Sequence, residues 1–167
     1  SGGAWHARHD VLARALRALL PPLSRAEALA VTAIHSLTSS EALITTRPPF
    51  RAPHHTASHT SLVGGGTHPK PGEVTLAHHG VLFMDEFPEF ERRSIDALRQ
   101  PLEDRVVTIS RVQGTSEFPA DFILVAALNP YRGSEDGTEN LARAMVETYK
   151  NKVSGPIIDR IDLWLEV

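Results

Sequence analysis

With 167 residues and 41% hydrophobic content, the chain is long enough for one domain with a sizeable core. Its net charge of −3, nine histidines aside, sets up no global attraction to nucleic acid or membrane, so any basic surface must be local. The absence of cysteine excludes a disulfide framework and any thiolate metal site. No apolar run approaches the roughly 20 residues that span a bilayer, and no signal-peptide pattern opens the chain, so no membrane association and a cytoplasmic location are expected.

The small and polar opening "SGGAWHARHD" gives way to a helical pattern in "VLARALRALL", with Leu12, Leu16, Leu19 and Leu20 near helical spacing. Pro21-Pro22 stops it, because proline lacks a donor and clashes with the preceding turn. Ser24 and Glu27 form a capping box for a second helix, "RAEALAVTAIHSL", on which Ala30, Ile34 and Leu37 can share a face. From Thr46 to Gly80 periodicity fails in a stretch rich in proline, glycine and histidine. So long an irregular segment inside a compact domain is usually functional. Within it, "GEVTLAHHG" reads as a short hairpin or a turn of helix.

A buried strand follows at Val81 to Asp85, then an amphipathic helix, "RRSIDALRQPLE", carrying Ile95, Leu98 and Leu102. "RVVTISRVQGTSEFPADF" has the alternation of a β-hairpin, with Val107, Ile109 and Val112 before a turn at Gln113-Gly114. "FILVAALNP" is a second apolar strand, ending at Asn129 and broken by Pro130. "TENLARAMVETYKNKV" reads as a helix and "IDLWLEV" as the last strand. Two fully apolar strands among helices predict a parallel sheet covered on both faces.

Ligands of open α/β sheets bind at the carboxyl ends of the strands, where both Asp85-Glu86 and Asn129 sit. Phosphoryl transfer needs charge neutralisation and an aligned nucleophile more than covalent help. One strand-end acid can hold Mg2+ through its waters, the next can orient and deprotonate water, and an asparagine on the adjacent strand can contact that water or the terminal phosphate. Taken alone, two acids at a strand end are more often a solvated terminus.

The block "GEVTLAHHGVLFMDEFPEFERRSIDALRQPLEDRVVTISR", with "FILVAALNP", "SGPIIDRIDLWLEV" and "RPPFRAPHHTAS", resembles the magnesium-chelatase-like AAA+ ATPases, particularly their ComM/YifB branch. The similarity covers almost all of residues 18–167, and the layout is also similar to the ATPase core of MCM helicases. The resemblance implies a three-layer α/β AAA+ (P-loop NTPase) large subdomain over residues 11–167. This would have a central parallel sheet, a helix-2 insert at 46–80 and a pre-sensor β-hairpin at 105–118. It implies Walker B carboxylates at Asp85, the Mg2+ ligand through water, and Glu86, with sensor-1 at Asn129 and an arginine finger at Arg160. ATP and Mg2+ are the implied cofactors, a homo-hexamer the implied assembly and DNA the implied substrate.

Several residues keep a plainer alternative. Arg160 could simply pair with Asp159 or Asp162, and Asn-Pro is an ordinary exit from a strand. Arg105 and Arg111 are candidate phosphate contacts on the hairpin, but beside Glu103 and Asp104 a solvated face is the safer reading. His55 and His59 have zinc-like spacing, with His54, His78 and His79 as further ligands, yet Pro53 and the residues around it argue for irregular chain. Adventitious metal binding is favoured there over a dedicated site.

The resemblance fails at one end. The family's phosphate loop, G-x-x-x-x-G-K-S/T, should cover Gly3 to Asp10, but Arg8, His9 and Asp10 stand at the second glycine, lysine and hydroxyl positions. A Cβ there blocks backbone approach, histidine is short and mostly neutral at pH 7, and Asp10 repels phosphate. Residues 1–10 are therefore expected to be a misassigned leader or a degenerate loop, and the chain to be a fragment lacking the helical lid and the N-terminal Lon-protease-like domain. Such a fragment is expected to be monomeric and feeble as an ATPase. "NPYRGSEDG" also lacks the cysteines many relatives carry. The alternatives are a non-catalytic pseudo-ATPase module, a magnesium chelatase-type ATPase subunit, and a histidine metal protein.

Overall fold

The computed structural model describes residues 3–39, 44–66, 69–111, 114–128 and 155–165, with backbone alone at 3–8 and 111. At its centre the described residues form a parallel sheet of three strands in the order β1 (Phe50–Arg51), β4 (Val81–Met84), β7 (Ile123–Ala126). The register aligns Phe50 with Val81 on one side and Val81 through Met84 with Ile123 through Ala126 on the other. β4 is paired along both edges and all four of its residues are buried, which is why it reads as unbroken apolar sequence. β7 is less covered than the sequence suggests: Ile123 is 43% exposed, and β7 pairs with a neighbour on one side only among the described residues.

Helix α1 spans Gly3–Leu19 and ends before the two prolines. It begins well ahead of the apolar repeat, so the stretch 3–10 is helical and not a loop. Arg14 lies 4.9 Å over the Phe50 ring, which itself stacks on Phe83 at 6.2 Å, and this chain of contacts carries α1 onto the sheet. Helix α2 (Arg25–Ser36) starts at the expected capping box: Ser24 accepts the Glu27 amide at 3.3 Å and Glu27 accepts the Ser24 amide at 2.7 Å. Its buried face is Ala28, Val31 and Ile34, not Ala30, Ile34 and Leu37. Leu37 is the C-cap residue and leaves the helical face, standing 54% exposed.

The stretch 46–80 holds more regular structure than its composition predicts. Besides β1 it contains α3 (His59–Val63), the paired two-residue strands β2 (Gly64–Gly65) and β3 (Lys70–Pro71), and α4 (Glu73–Leu76), so "GEVTLAHHG" takes the helical option. Gly80 closes this stretch against β1, where a Cβ would lie 2.1 Å from the Pro49 carbonyl oxygen.

After β4 a 3-10 turn (Phe87–Glu89) leads to two short helices, α5 (Arg92–Asp96) and α6 (Arg99–Asp104), in place of the single helix expected. Pro101 has no N–H to give the Ala97 carbonyl, so the helix breaks and restarts around Leu98. The hairpin is present as β5 (Val106–Arg111) and β6 (Gly114–Pro119), with Val107 and Ile109 buried as the alternation requires. Val112 and Gln113 lie outside the described residues, as does the helix read at "TENLARAMVETYKNKV". The final strand is corrected. Residues 155–160 fold as helix α7 (Gly155–Ile158) and a turn, while residues 161–165 pair with no strand among the described residues. Leu163, Trp164 and Leu165 are 70%, 46% and 77% exposed.

The main core joins β4 to α3–α6 and the hairpin through Leu62, Val74, Met84, Phe87, Ile95 and Leu98. No helix among the described residues is long and apolar enough to cross a membrane.

Candidate functional site

β4 carries its chain out of the core and releases it at Asp85 and Glu86, both half-buried. The exit is fixed to the neighbouring strand: Ala127 donates its N–H to Met84 O at 2.9 Å, and Phe87 donates to Ala127 O at 3.0 Å. The ends of β4 and β7 therefore adjoin, as the crevice argument requires. Asn129 itself lies outside the described residues. Asp85 Oδ1 accepts the Glu86 amide at 3.0 Å, and Glu86 adopts the left-handed conformation, φ 52° and ψ 42°. A non-glycine residue held there costs about 1–2 kcal/mol, a strain that concentrates at functional positions.

The walls of the adjoining cavity are Ala52, Pro53, His54, His55 and Phe83, with the two acids. Because β1 runs parallel to β4, the "PHH" that follows it emerges at the same end of the sheet. His55 Nδ1 lies 2.8 Å from Glu86 Oε2, and the His54 ring stacks beside His55 at 4.1 Å. His59, four residues on, heads α3 and is held toward its neutral form by burial and by Arg93. The helical zinc pair thus does not form. Among the described residues no group of three histidine or carboxylate ligands assembles to hold a metal ion.

From the other side, α1 brings His9 Nδ1 to 3.7 Å from Asp85 Oδ1. That nitrogen is buried and makes no hydrogen bond, so it is near Asp85 without being bonded to it. Carboxylate oxygens at a strand end suit a hard cation such as Mg2+, which commonly uses one or two of them and keeps its waters. The donor set of Asp85 and Glu86 fits that ion. On the phosphate side, residues 3–10 are the first turns of α1, not the glycine-rich loop of the G-x-x-x-x-G-K-S/T pattern.

Arg160 follows α7 and reaches neither Asp159 nor Asp162. Its Nη2 lies 3.2 Å from Glu103 Oε1, and the side chain is about half exposed. Arg105 caps α6 in the left-handed conformation and pairs with Asp121 at 3.5 Å. The side chain of Arg111 is outside the described set.

The match to the magnesium chelatase, subunit ChlI, family runs over residues 3–167, nearly the entire chain. This chain belongs to that family. Competence protein ComM of Haemophilus influenzae is 50% identical over 161 residues, covering 94% of this chain and 32% of its own length. YifB of Escherichia coli is 48% identical over the same span, and DNA replication licensing factor Mcm6 of Drosophila melanogaster is 28% identical over 93 residues, 56% of this chain. The ChlI-family chain spans about a third of the length of its ComM and YifB relatives. Its parallel sheet with flanking helices is the α/β arrangement of that AAA+ family.

The sequence alone offers His55 only as a zinc ligand and does not foretell its contact with Glu86. The signal was the position of "PHH" just after a strand, but that strand is two residues long between prolines and was not legible as one.

Proposed function

We propose that this chain is part of the core of an ATP-hydrolysing AAA+ motor that acts on DNA, and that residues 3–10 as they stand do not serve as its phosphate loop. The observation that carries the reading is the Asp85-Glu86 pair at the end of a fully buried central strand, beside the end of β7, in a chain of the ChlI family. Asp85 holds Mg2+ through water, Glu86 orients and deprotonates the attacking water, and Asn129 serves as sensor-1. Arg160 acts as the arginine finger toward a neighbouring subunit, and Arg105 and Arg111 on the hairpin contact nucleic-acid phosphates. ATP and Mg2+ are the cofactors of a homo-hexameric, cytoplasmic parent. Mg2+ supplies charge neutralisation at the phosphates when bound.

The DNA substrate is supported by the relatives named a competence protein and a replication licensing factor. A branch-migration activity in the uptake and recombination of transforming DNA is the specific form proposed.

Replacing Arg8, His9 and Asp10 by Gly, Lys and Thr tests the reading. ATP hydrolysis that appears in this variant and is lost again with Asp85→Asn is the expected result. No hydrolysis would favour the second reading, a non-catalytic pseudo-ATPase module. That reading draws on the helix through residues 3–10 and on His9 beside Asp85.

A further inference from the structure

The β5–β6 hairpin is held at its root and along one face. At the root, Ala120 donates its N–H to Arg105 O at 2.7 Å, and Arg105, in the left-handed conformation, turns the chain from α6 into β5. Along one face Val107 and Ile109 are buried, and a Cβ added at Gly64 would lie 3.0 Å from Ile109 Cδ1. Past Ile109 the ribbon is solvated, with Ser110, Gly114 and Thr115 exposed. A two-stranded ribbon is marginally stable on its own, so its direction has to be imposed from outside it.

Gln100 grips the ribbon at Thr108, the strand position between the two buried residues. Its Nε2 lies 2.9 Å from Thr108 Oγ1, and its Oε1 accepts the Thr108 amide at 3.3 Å. A backbone amide only donates, so the Gln100 oxygen must face it, and Nε2 is left to donate to the hydroxyl. Side chains alternate along a strand, so Thr108 offers its hydroxyl on the face opposite Val107 and Ile109. One bond would let β5 roll about it, whereas two fix its orientation. The platform is itself held, because Gln100 lies in the first turn of α6 between Leu98 and Pro101, both buried.

We infer that Gln100 is a positioning residue for the hairpin: its two-point bond to Thr108 sets the angle at which β5 and β6 leave the core. The inference rests on the proposed contact of Arg105 and Arg111 with nucleic-acid phosphates. It deepens that reading by naming what aims the strand that carries Arg111, three residues beyond Thr108. Without the grip the hairpin takes up several directions, and that freedom has to be lost again on binding.

The test uses the full chain, amide hydrogen exchange, and fluorescence anisotropy with a labelled single-stranded oligothymidylate as the probe. Gln100→Leu keeps the bulk and loses both bonds. Exchange is expected to quicken roughly tenfold at the β5 and β6 amides while staying unchanged at Val81–Met84 of β4. Affinity for the oligonucleotide is expected to fall roughly threefold to tenfold, the scale of losing one or two neutral hydrogen bonds. Thr108→Val, which loses the hydroxyl bond alone, should lie between the two, and Thr108→Ser, which keeps it, should behave as the unmodified chain does. A merely structural role would quicken exchange in β4 as much as in the hairpin. That outcome, or hairpin exchange unchanged in Gln100→Leu, overturns the inference. So does an oligonucleotide affinity lowered by Arg111→Ala but untouched by Gln100→Leu. If Arg111→Ala binds the oligonucleotide as the unmodified chain does, the phosphate contact fails instead, and the exchange pattern alone decides whether Gln100 sets the hairpin angle.

Discussion

Arg160 and Glu103 meet across the surface at 3.2 Å, and Arg99 reaches the same Glu103 oxygen at 3.3 Å. A shared, exposed carboxylate is a weak anchor, because solvent screens the pair and both side chains lose rotamer freedom. Arg160→Ala is therefore expected to change unfolding free energy by less than about 1 kcal/mol in urea titrations. A loss above about 2 kcal/mol would mean that Arg160 is chiefly structural and would remove the argument for a residue available to a neighbouring subunit.

At the opposite end of the sheet, His78 is buried and its Nδ1 accepts the Asp121 amide at 3.1 Å, which ties β4 to β7. Burial, followed by the neighbouring His79, pushes its pKa down from 6.5 to about 4, while Asp121 and Glu27 oppose the shift. A depressed value means the unfolded chain takes up a proton that the folded chain refuses. Stability is thus complete above pH 6.5 and falls as pH drops from 6.5 to about 4. Denaturation across this window should show a slope of up to about 1.4 kcal/mol per pH unit, absent in His78→Gln. An equal slope in both proteins would contradict the assignment.

Arg51, on β1, donates from Nε and Nη2 to the two oxygens of Glu73 on α4, at 2.5 and 2.7 Å. This forked bond to Glu73 pushes the Arg51 pKa above its ordinary value. Glu73→Gln leaves a half-buried guanidinium without its charge partner, and should cost about 2 kcal/mol and lower Tm by about 4–8 °C. A calorimetric shift under 1 °C would show that β1 is held by its two-residue pairing with β4 alone.

Gly80 admits no side chain. A Cβ there meets the Pro49 carbonyl oxygen, which itself accepts the Val81 amide at 2.9 Å. The clashing atom is backbone, so relief requires moving β1 off β4. Gly80→Ala is expected to destabilise by about 3 kcal/mol. A neutral effect in chemical denaturation would mean that the β1–β4 register is softer than drawn.

Long apolar runs were legible in the sequence because they depend on neighbouring residues only. β4, β7, the hairpin alternation and the Ser24–Glu27 cap all follow from local pattern. β1 was hidden because two residues between prolines carry no period. The split between α5 and α6 was signalled by Pro101 but read through. "IDLWLEV" has strand composition, yet a strand needs an edge to pair with, and composition cannot supply one. At the site, Asp85 and Glu86 announced themselves by position, whereas the His55–Glu86 contact spans two strands and depends on a sheet order that local pattern does not encode.

Under the proposed function Asp85 and Glu86 are the carboxylate half of an ATP site, whereas residues 3–10 are helical and not a phosphate loop. Steady-state ATP hydrolysis by the unmodified chain with Mg2+, set against Glu86→Gln, tests it most directly. The account expects the two rates to be equally close to background. Robust turnover by the unmodified chain, abolished in Glu86→Gln, would contradict it.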